Sequence, residues 1–450
     1  MPQQIKLKKG LNINLAGSAK TEFFEPKDIR LFALRPSDFP MLVPKMLVKE
    51  GDVVKCGTPV FFSKDQPEIL FASPVSGTVK AVVRGEKRLI LDIVIESDGI
   101  FSSESYSLKL LKDYSAEELK ELLLKSGLWP FLKQRPYGIT ANLNREPKAI
   151  FISCFDTAPL SPDYDFIMHG QEKDFHKGIE VLSKLTKGKI HLGVNGKKPV
   201  APVFSTAPGV VITEYIGPHP AGNPGVQIHH TDPINKDEIV WTLNPQDVLV
   251  LGRFFNNSVY DVSKIIAVTG SEQTISKYVK TKQGACIQPI LSRNTTCENV
   301  RYISGNVLTG TQISANGYLG FFDSQLTVIP EGNKHEFIGW ALPGLKKYSF
   351  SKTFLSWLIP GKQYVIDTNY HGGERALVIT GEYEKVIPMD ILPMQLLKAI
   401  IIEDIDLMEK LGIYEVIEED LALCEFICTS KTEIQSIVRK GLNQLYKEMN

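Results

Sequence analysis

The chemistry-bearing residues of this 450-residue chain are few and widely spaced. Its six cysteines are Cys56, Cys154, Cys286, Cys297, Cys424 and Cys428. No two of them have the CxxC spacing of a redox or metal pair. The closest, Cys424 and Cys428, stand four apart, which on a helix puts both on one face, as two buried core thiols would sit. Nucleotide chemistry needs glycines where the first strand of an α/β unit turns into its helix, so that backbone can approach a pyrophosphate. That turn here is "SCFDTAPLSPDYD", residues 153–165, and it contains no glycine. The next strand ends in Asn195-Gly196-Lys197-Lys198, with no carboxylate to receive a ribose hydroxyl, and no P-loop occurs in the chain. These residues argue against a dinucleotide site.

Covalent cargo is the second chemistry to consider. Ser73-Pro74-Val75-Ser76-Gly77-Thr78-Val79 resembles the return strand of a lipoyl or biotin carrier hairpin. In lipoyl domains the attachment lysine stands seven residues before the serine. Here that position is Gln66, whose amide cannot be acylated by either cofactor. Lys64 lies two positions away and reads as a surface lysine off the apex of the turn. The expectation is a carrier-like domain without cargo.

The whole chain sets wider limits. Apolar residues make up 43% and charged residues 23%, ordinary for a globular protein of three or four domains. Lys plus Arg equals Asp plus Glu, 51 against 51, so nothing favours a nucleic-acid partner. No run approaches the roughly 20 apolar residues of a membrane span. "MPQQIKLKKGLNINLAG" has no apolar stretch after its charges and does not read as a secretory signal. A cytosolic setting is expected, and with it free thiols.

The elements that would position these residues follow from pattern and punctuation. Residues 1–100 read as short, glycine-bounded strands, a biotinyl/lipoyl-like β domain. Residues 101–147 read as a helical connector, with Ser115 and Glu118 as a capping box and Gly127 and Pro130 as the stop. Residues 148–255 read as a Rossmann-like α/β domain. Its strands would be "KAIFISCF", "KIHLGV", "VVITEY" and "DVLVLGRF", with a helix at "QEKDFHKGIEVLSKLTKG". Residues 256–330 read as a β-grasp module with a short helical stretch at "TISKYVKTK". Residues 331–450 read as a linker and C-terminal helical domain. There Pro393 starts a helix, Gly412 ends one, and Ser430 with Glu433 forms a second capping box. The fold class is therefore multidomain α/β and α+β.

Six blocks, in order along the chain, resemble the NqrA family, one of the component families of the bacterial Na+-translocating NADH:quinone reductase. They are "ASPVSGTVKAVVRGEKR", "YIGPHPAGNPGVQIHHTDP", "YISGNVLTG", "VIPEGNKHEFIGWALPG", "GGERALVITGEYEKVIPMDILPMQLL" and "EEDLALCEFICTSKTE". The resemblance implies a carrier-like barrel, a Rossmann-like domain, a soluble-ligand-binding (SLBB-like) β-grasp module and a helical C-terminal domain. It also implies distant kinship with the flavin- and NADH-binding subunit of respiratory complex I and with the electron-transport subunit RnfC. Those relatives hold cofactors with glycine-rich loops and cysteine clusters. This chain departs from both, having two cysteines in "LALCEFICTSK" where a cubane iron–sulfur cluster takes four thiolates.

The function so implied is that of a peripheral subunit on the cytoplasmic side of the bacterial inner membrane. It would be an enzyme only as part of the reductase, inactive alone and without catalytic or metal-binding residues of its own. It would hold no redox cofactor covalently or tightly. NADH, flavins and the iron–sulfur centre would belong to partner subunits, and a membrane subunit would carry the docking site. The family association with quinone points to His219, His229 and His230 in "YIGPHPAGNPGVQIHH", donors among glycines and prolines, as quinone-side candidates. The bland alternative is a rigid loop packed against a neighbouring domain or subunit. Glu374 and Arg375 are expected to form an interdomain ion pair. A second reading of the whole chain is a free-standing small-molecule-binding protein. A third, a biotin- or lipoate-dependent enzyme, is weakened by Gln66.

Overall fold

The structure is a computed structural model that describes residues 3–291, 299–332, 343–359 and 361–449. Cys297 lies outside these residues, as does part of the "VIPEGNKHEFIGWALPG" block. Its largest element is a seven-stranded sheet. The strand order is Gln3–Lys6, Val210–Ile216, Lys189–Asn195, Ala149–Ser153, Val240–Leu243, Lys133–Arg135, Ile139–Thr140. The first five strands are parallel and the last two form an antiparallel edge. Ala149–Ser153 is buried throughout because helices cover both faces of the sheet. Helix Glu172–Ser183 matches its apolar spacing, with Phe175, Ile179 and Leu182 buried.

One expected strand is a helix. "DVLVLGRF" falls within Pro245–Asn257, which starts on Asn244 as N-cap and Pro245 in the first turn. Its four consecutive apolar residues, Val248 to Leu251, are all buried, so they show no period by which to tell helix from strand. The helix lies against Glu172–Ser183 through two glycines. A Cβ on Gly252 would meet Asp174 O at 1.7 Å, and one on Gly178 would meet Val248 O at 2.2 Å. Only glycine allows this crossing.

The barrel-sandwich domain packs a four-stranded sheet (Leu31–Leu34, Ile90–Ser97, Gly77–Arg84, Val53–Val54) on a three-stranded one (Pro44–Met46, Pro59–Ser63, Leu70–Ala72). Phe61 stacks on Phe71 with centroids 4.5 Å apart, and Phe39 meets Phe71 edge-on at 4.6 Å. Lys64 and Gln66 both sit in the connection between Pro59–Ser63 and Leu70–Ala72, with Lys64 exposed and Gln66 half-buried. The residues before this domain go elsewhere. Gln3–Lys6 joins the edge of the α/β sheet, and Lys20–Phe23 pairs with Lys277–Lys282. The connector region 101–147 holds the helix Ala116–Lys125, capped reciprocally by Ser115 and Glu118, and also the two antiparallel strands of the α/β sheet.

The third unit is a six-stranded sheet ordered Thr311–Ile313, Val300–Ser304, Gln325–Pro330, Ser263–Thr269, Lys277–Lys282, Lys20–Phe23. The helical stretch expected at "TISKYVKTK" is instead the strand Lys277–Lys282. Adjacent Tyr278 and Val279 are both buried, as neighbours on opposite faces of a covered strand are.

The C-terminal residues form the helices Pro393–Ile401, Ile405–Lys410, Ala422–Ile427 and Ile434–Met449. Gly412, with φ of 85°, follows Ile405–Lys410. Cys424 and Cys428 are buried in this helical core. The capping box expected at Ser430 and Glu433 does not form. Ser430 Oγ donates to Ala376 O (2.9 Å), and Gln435 N–H in the first turn is satisfied by Glu425 Oε2 (2.7 Å). A remote carboxylate takes the place of the local one. Among the described residues no helix is long and apolar enough to cross a membrane.

Candidate functional site

In an open α/β sheet, ligands bind beyond the carboxyl ends of the strands, where the strand order reverses. The reversal here lies between Ala149–Ser153 and Val240–Leu243. Asn244 Nδ2, just past one strand, donates to the buried Tyr164 hydroxyl, which follows the turn after the other. Gln246 then ties this point to the six-stranded sheet: its Nε2 donates to Ile265 O (2.9 Å) and its Oε1 accepts from Ile265 N (2.8 Å). These bonds tie the carboxyl ends of the two strands to Tyr164 and to the six-stranded sheet.

The glycines of "YIGPHPAGNPG" serve close packing. A Cβ on Gly222 would lie 2.9 Å from Thr157 N, and one on Gly225 would lie 2.4 Å from Asp420 Oδ1 and 2.5 Å from Arg135 Nη1. The first brings this segment onto the glycine-free turn. The second admits a buried ion pair at the base of the helix Pro224–Thr231. There Arg135 binds Asp420 (2.6 Å) and Glu419. This ion pair joins a strand of the α/β sheet to the C-terminal helical region. Glu374 and Arg375, expected in that role, are exposed and form no ion pair among the described residues.

Past the carboxyl end of Ala149–Ser153 lies a cavity of about 290 Å³. Its walls come from three distant stretches: Asn12, Asn14 and Leu15; Thr157 and Leu160; and Gln363. Backbone bonds from Tyr364 N to Asn14 O (2.8 Å) and from Ala16 N to Tyr364 O (2.9 Å) hold the first and third together. Thr157 Oγ1 accepts from Gly222 N (3.0 Å) and lies 3.1 Å from His219 Nδ1. His219 N donates to Asn12 Oδ1 (3.0 Å). His219 therefore stands directly behind two wall residues, itself only 4% exposed. Burial lowers its pKa from 6.5 to about 4, because nothing nearby compensates a buried imidazolium.

The other two histidines are elsewhere. His229 Nδ1–H donates to Glu415 Oε2 (2.6 Å), and its Nε2 accepts from Asp390 N (3.1 Å). His230 Nε2 donates to Pro388 O (2.6 Å), and burial also lowers its pKa. Both fasten Pro224–Thr231, a helix rather than the rigid loop anticipated, to residues 388–415. Of the three candidates only His219 contacts residues of the cavity wall, Thr157 and Asn12, and it does not itself line the cavity. Thr157, Asn12, Asn14 and Gln363 carry no functional signature in sequence. The one available sign is the alternation of Asn12 and Asn14 in "LNINLAG", which sends both to one side of an extended segment.

A second hollow of about 510 Å³ opens at the other end of the sheet. Its cations are already engaged: Lys148 with Asp232 (2.9 Å) and Glu238 (2.6 Å), and Lys187 with Glu146 (3.4 Å). Among the described residues no group of three or more His, Cys, Asp and Glu is placed to hold a metal ion.

A carrier-like sandwich, a Rossmann-like sheet, a small SLBB-like sheet and C-terminal helices make up a multidomain α/β and α+β architecture. The matches to known families fit this order. The NqrA N-terminal barrel-sandwich hybrid domain matches residues 5–98, the NqrA second alpha/beta domain residues 114–260, and the NQRA C-terminal domain residues 265–315. The chain is 39% identical over 451 residues to the NqrA component of the Na(+)-translocating NADH-quinone reductase of Hahella chejuensis, covering 99% of this chain and 100% of that one. It is 39% identical over 449 residues to the corresponding protein of Neisseria meningitidis serogroup B, with the same coverage. Among solved structures, an NAD+-reducing [NiFe]-hydrogenase aligns over 77% of this chain and 67% of that one, at 10% identity and a TM-score of 0.38. The chain belongs to the NqrA family and is thus one component of an oxidoreductase complex, the Na(+)-translocating NADH-quinone reductase.

Proposed function

We infer that this chain is a peripheral subunit on the cytoplasmic face of the reductase, contributing part of the quinone-reduction site and no redox cofactor. Similarity over the full length of the NqrA relatives supports the subunit reading over a free-standing binder. The observation that carries the quinone role is the cavity beside the switch point. Its wall is mainly polar, with the neutral groups of Asn12, Asn14, Thr157 and Gln363 beside Leu15 and Leu160. Uncharged donors of this kind suit the carbonyls of a quinone headgroup. His219, neutral near pH 7, would position Thr157 rather than deliver a proton. Electrons would arrive from flavins and an iron–sulfur centre in partner subunits, where NADH is also oxidised. The glycine-free turn supports that division of labour.

The test is a pair of assays on the complex. A complex depleted of this chain should still oxidise NADH with an artificial dye and should fail to reduce quinone. Within the intact complex, Gln363→Leu should raise the KM for quinone and leave dye reduction unchanged. Loss of both activities in an otherwise assembled, depleted complex would refute the division of labour. An unchanged quinone KM in Gln363→Leu and Thr157→Val would refute the cavity.

A further inference from the structure

Residues 343–366 depart from the rest of the chain in charge. They contain four lysines, five aromatic residues and no Asp or Glu, in a protein whose acids and bases balance. Their structure is also inverted relative to an ordinary surface turn. Leu355–Leu358 is a single 3-10 turn in which only Ser356 is buried, its hydroxyl donating to Lys347 O. The apolar side chains point outward: Leu355 is 47% exposed, Trp357 50%, Leu358 56% and Ile359 47%. The polar residue anchors the turn while four large apolar neighbours face solvent, the reverse of what burial of apolar surface dictates.

The lysines around this patch decide what covers it. Lys346 and Lys352 are exposed, and among the described residues neither they nor Lys362 form an ion pair. Lys352 Nζ lies 5.4 Å from the centre of the Trp357 ring, so cation and indole are presented side by side. The buried centre of a protein–protein interface is depleted of lysine. Tryptophan and aliphatic side chains rimmed by lysine, without acids, suit the boundary between anionic headgroups and acyl chains. We propose that residues 343–359 form a lipid-contact surface for an anionic bilayer. Trp357, Leu358 and Ile359 enter the acyl boundary, and Lys346 and Lys352 lie among the phosphates. One turn buries little apolar area, so the contact is weak and reversible on its own and adds to the hold of partner subunits. The inference goes beyond the subunit reading, since a chain attached only through protein partners would ignore lipid.

The experiment uses the full chain with vesicles of phosphatidylcholine and of mixed phosphatidylcholine and phosphatidylglycerol. Co-sedimentation should occur with the anionic vesicles, weaken with salt, and be absent with the neutral ones. Tryptophan emission should shift blue on binding, and the shift should vanish in Trp357→Phe. Lys346→Gln with Lys352→Gln should lower partitioning roughly 30-fold, from about 1 kcal/mol per basic residue near an anionic surface. Leu358→Ser with Ile359→Ser should abolish binding. These side chains are exposed, so thermal unfolding should match the parent chain and exclude misfolding. Absence of vesicle binding, no preference for anionic lipid, or variants that bind like the parent would each overturn the proposal. So would substituted chains that lose assembly with partner subunits in detergent while the parent ignores vesicles, which would mark the patch as a protein docking face.

Discussion

The charge state of His219 separates two roles for the candidate site, and it can be measured. The ring is buried behind the cavity wall, and its pKa falls from 6.5 to about 4. At pH 7 about one molecule in a thousand would then carry the imidazolium, too few for a proton donor but right for a fixed hydrogen-bonding partner of Thr157. The shift also bears on stability. A histidine with a depressed folded-state pKa binds protons more readily when unfolded, so its contribution is complete above the unfolded pKa and is lost as pH falls from 6.5 toward 4. A difference of about 2.5 units amounts to roughly 3 kcal/mol. The assay is a titration of the chain's eight histidines by NMR of ring-labelled protein, with His219→Gln identifying the signal. Urea unfolding of parent and variant follows across the same pH range. The parent should lose roughly 3 kcal/mol more than the variant between pH 6.5 and 4. Titration of His219 near 6.5 would show a solvated ring free to protonate and would refute the positioning role.

Other consequences follow from the packing. Arg135→Met leaves Asp420 buried without its partner and should loosen the C-terminal helices by about 3–5 kcal/mol. Hydrogen exchange in Ile434–Met449 should rise while the barrel-sandwich domain keeps its protection. Gly252→Ala forces a methyl into Asp174 O and should destabilise the α/β domain by about 1–3 kcal/mol or more, read as a lower Tm. Cys424→Ser should cost more than Cys428→Ser. Both thiols are buried, but Cys428 Sγ already accepts from the Tyr383 hydroxyl at 3.0 Å, whereas an unpaired hydroxyl at 424 costs about 1–3 kcal/mol. Equal melting temperatures for the two variants would contradict that ordering.

What the sequence settled was local. The Ser115 and Glu118 cap, the apolar face of Glu172–Ser183, the start at Pro393 and the strands Ala149–Ser153 and Lys189–Asn195 each follow from neighbours a few residues apart. Propensity, capping and periodicity act over that range. The absent carrier lysine and the glycine-free turn were equally legible, because each is a residue identity at a counted spacing. The errors came where long-range packing decides an element. Val248–Leu251 is buried on every side and shows no period, whereas Lys277–Lys282 is extended because it pairs with Ser263–Thr269 and Lys20–Phe23. At the start of Ile434–Met449 the cap of Gln435 N–H arrives from Glu425, on another helix, and not from Ser430. Tertiary structure alone joined Gln3–Lys6 to Val210–Ile216 and assembled a cavity from residues 12–15, 157–160 and 363. It also separated His219 from His229 and His230, which stand ten and eleven residues further on yet face another domain. Their helix turns them toward residues 388–415, and only long-range packing decides which surface a helix meets.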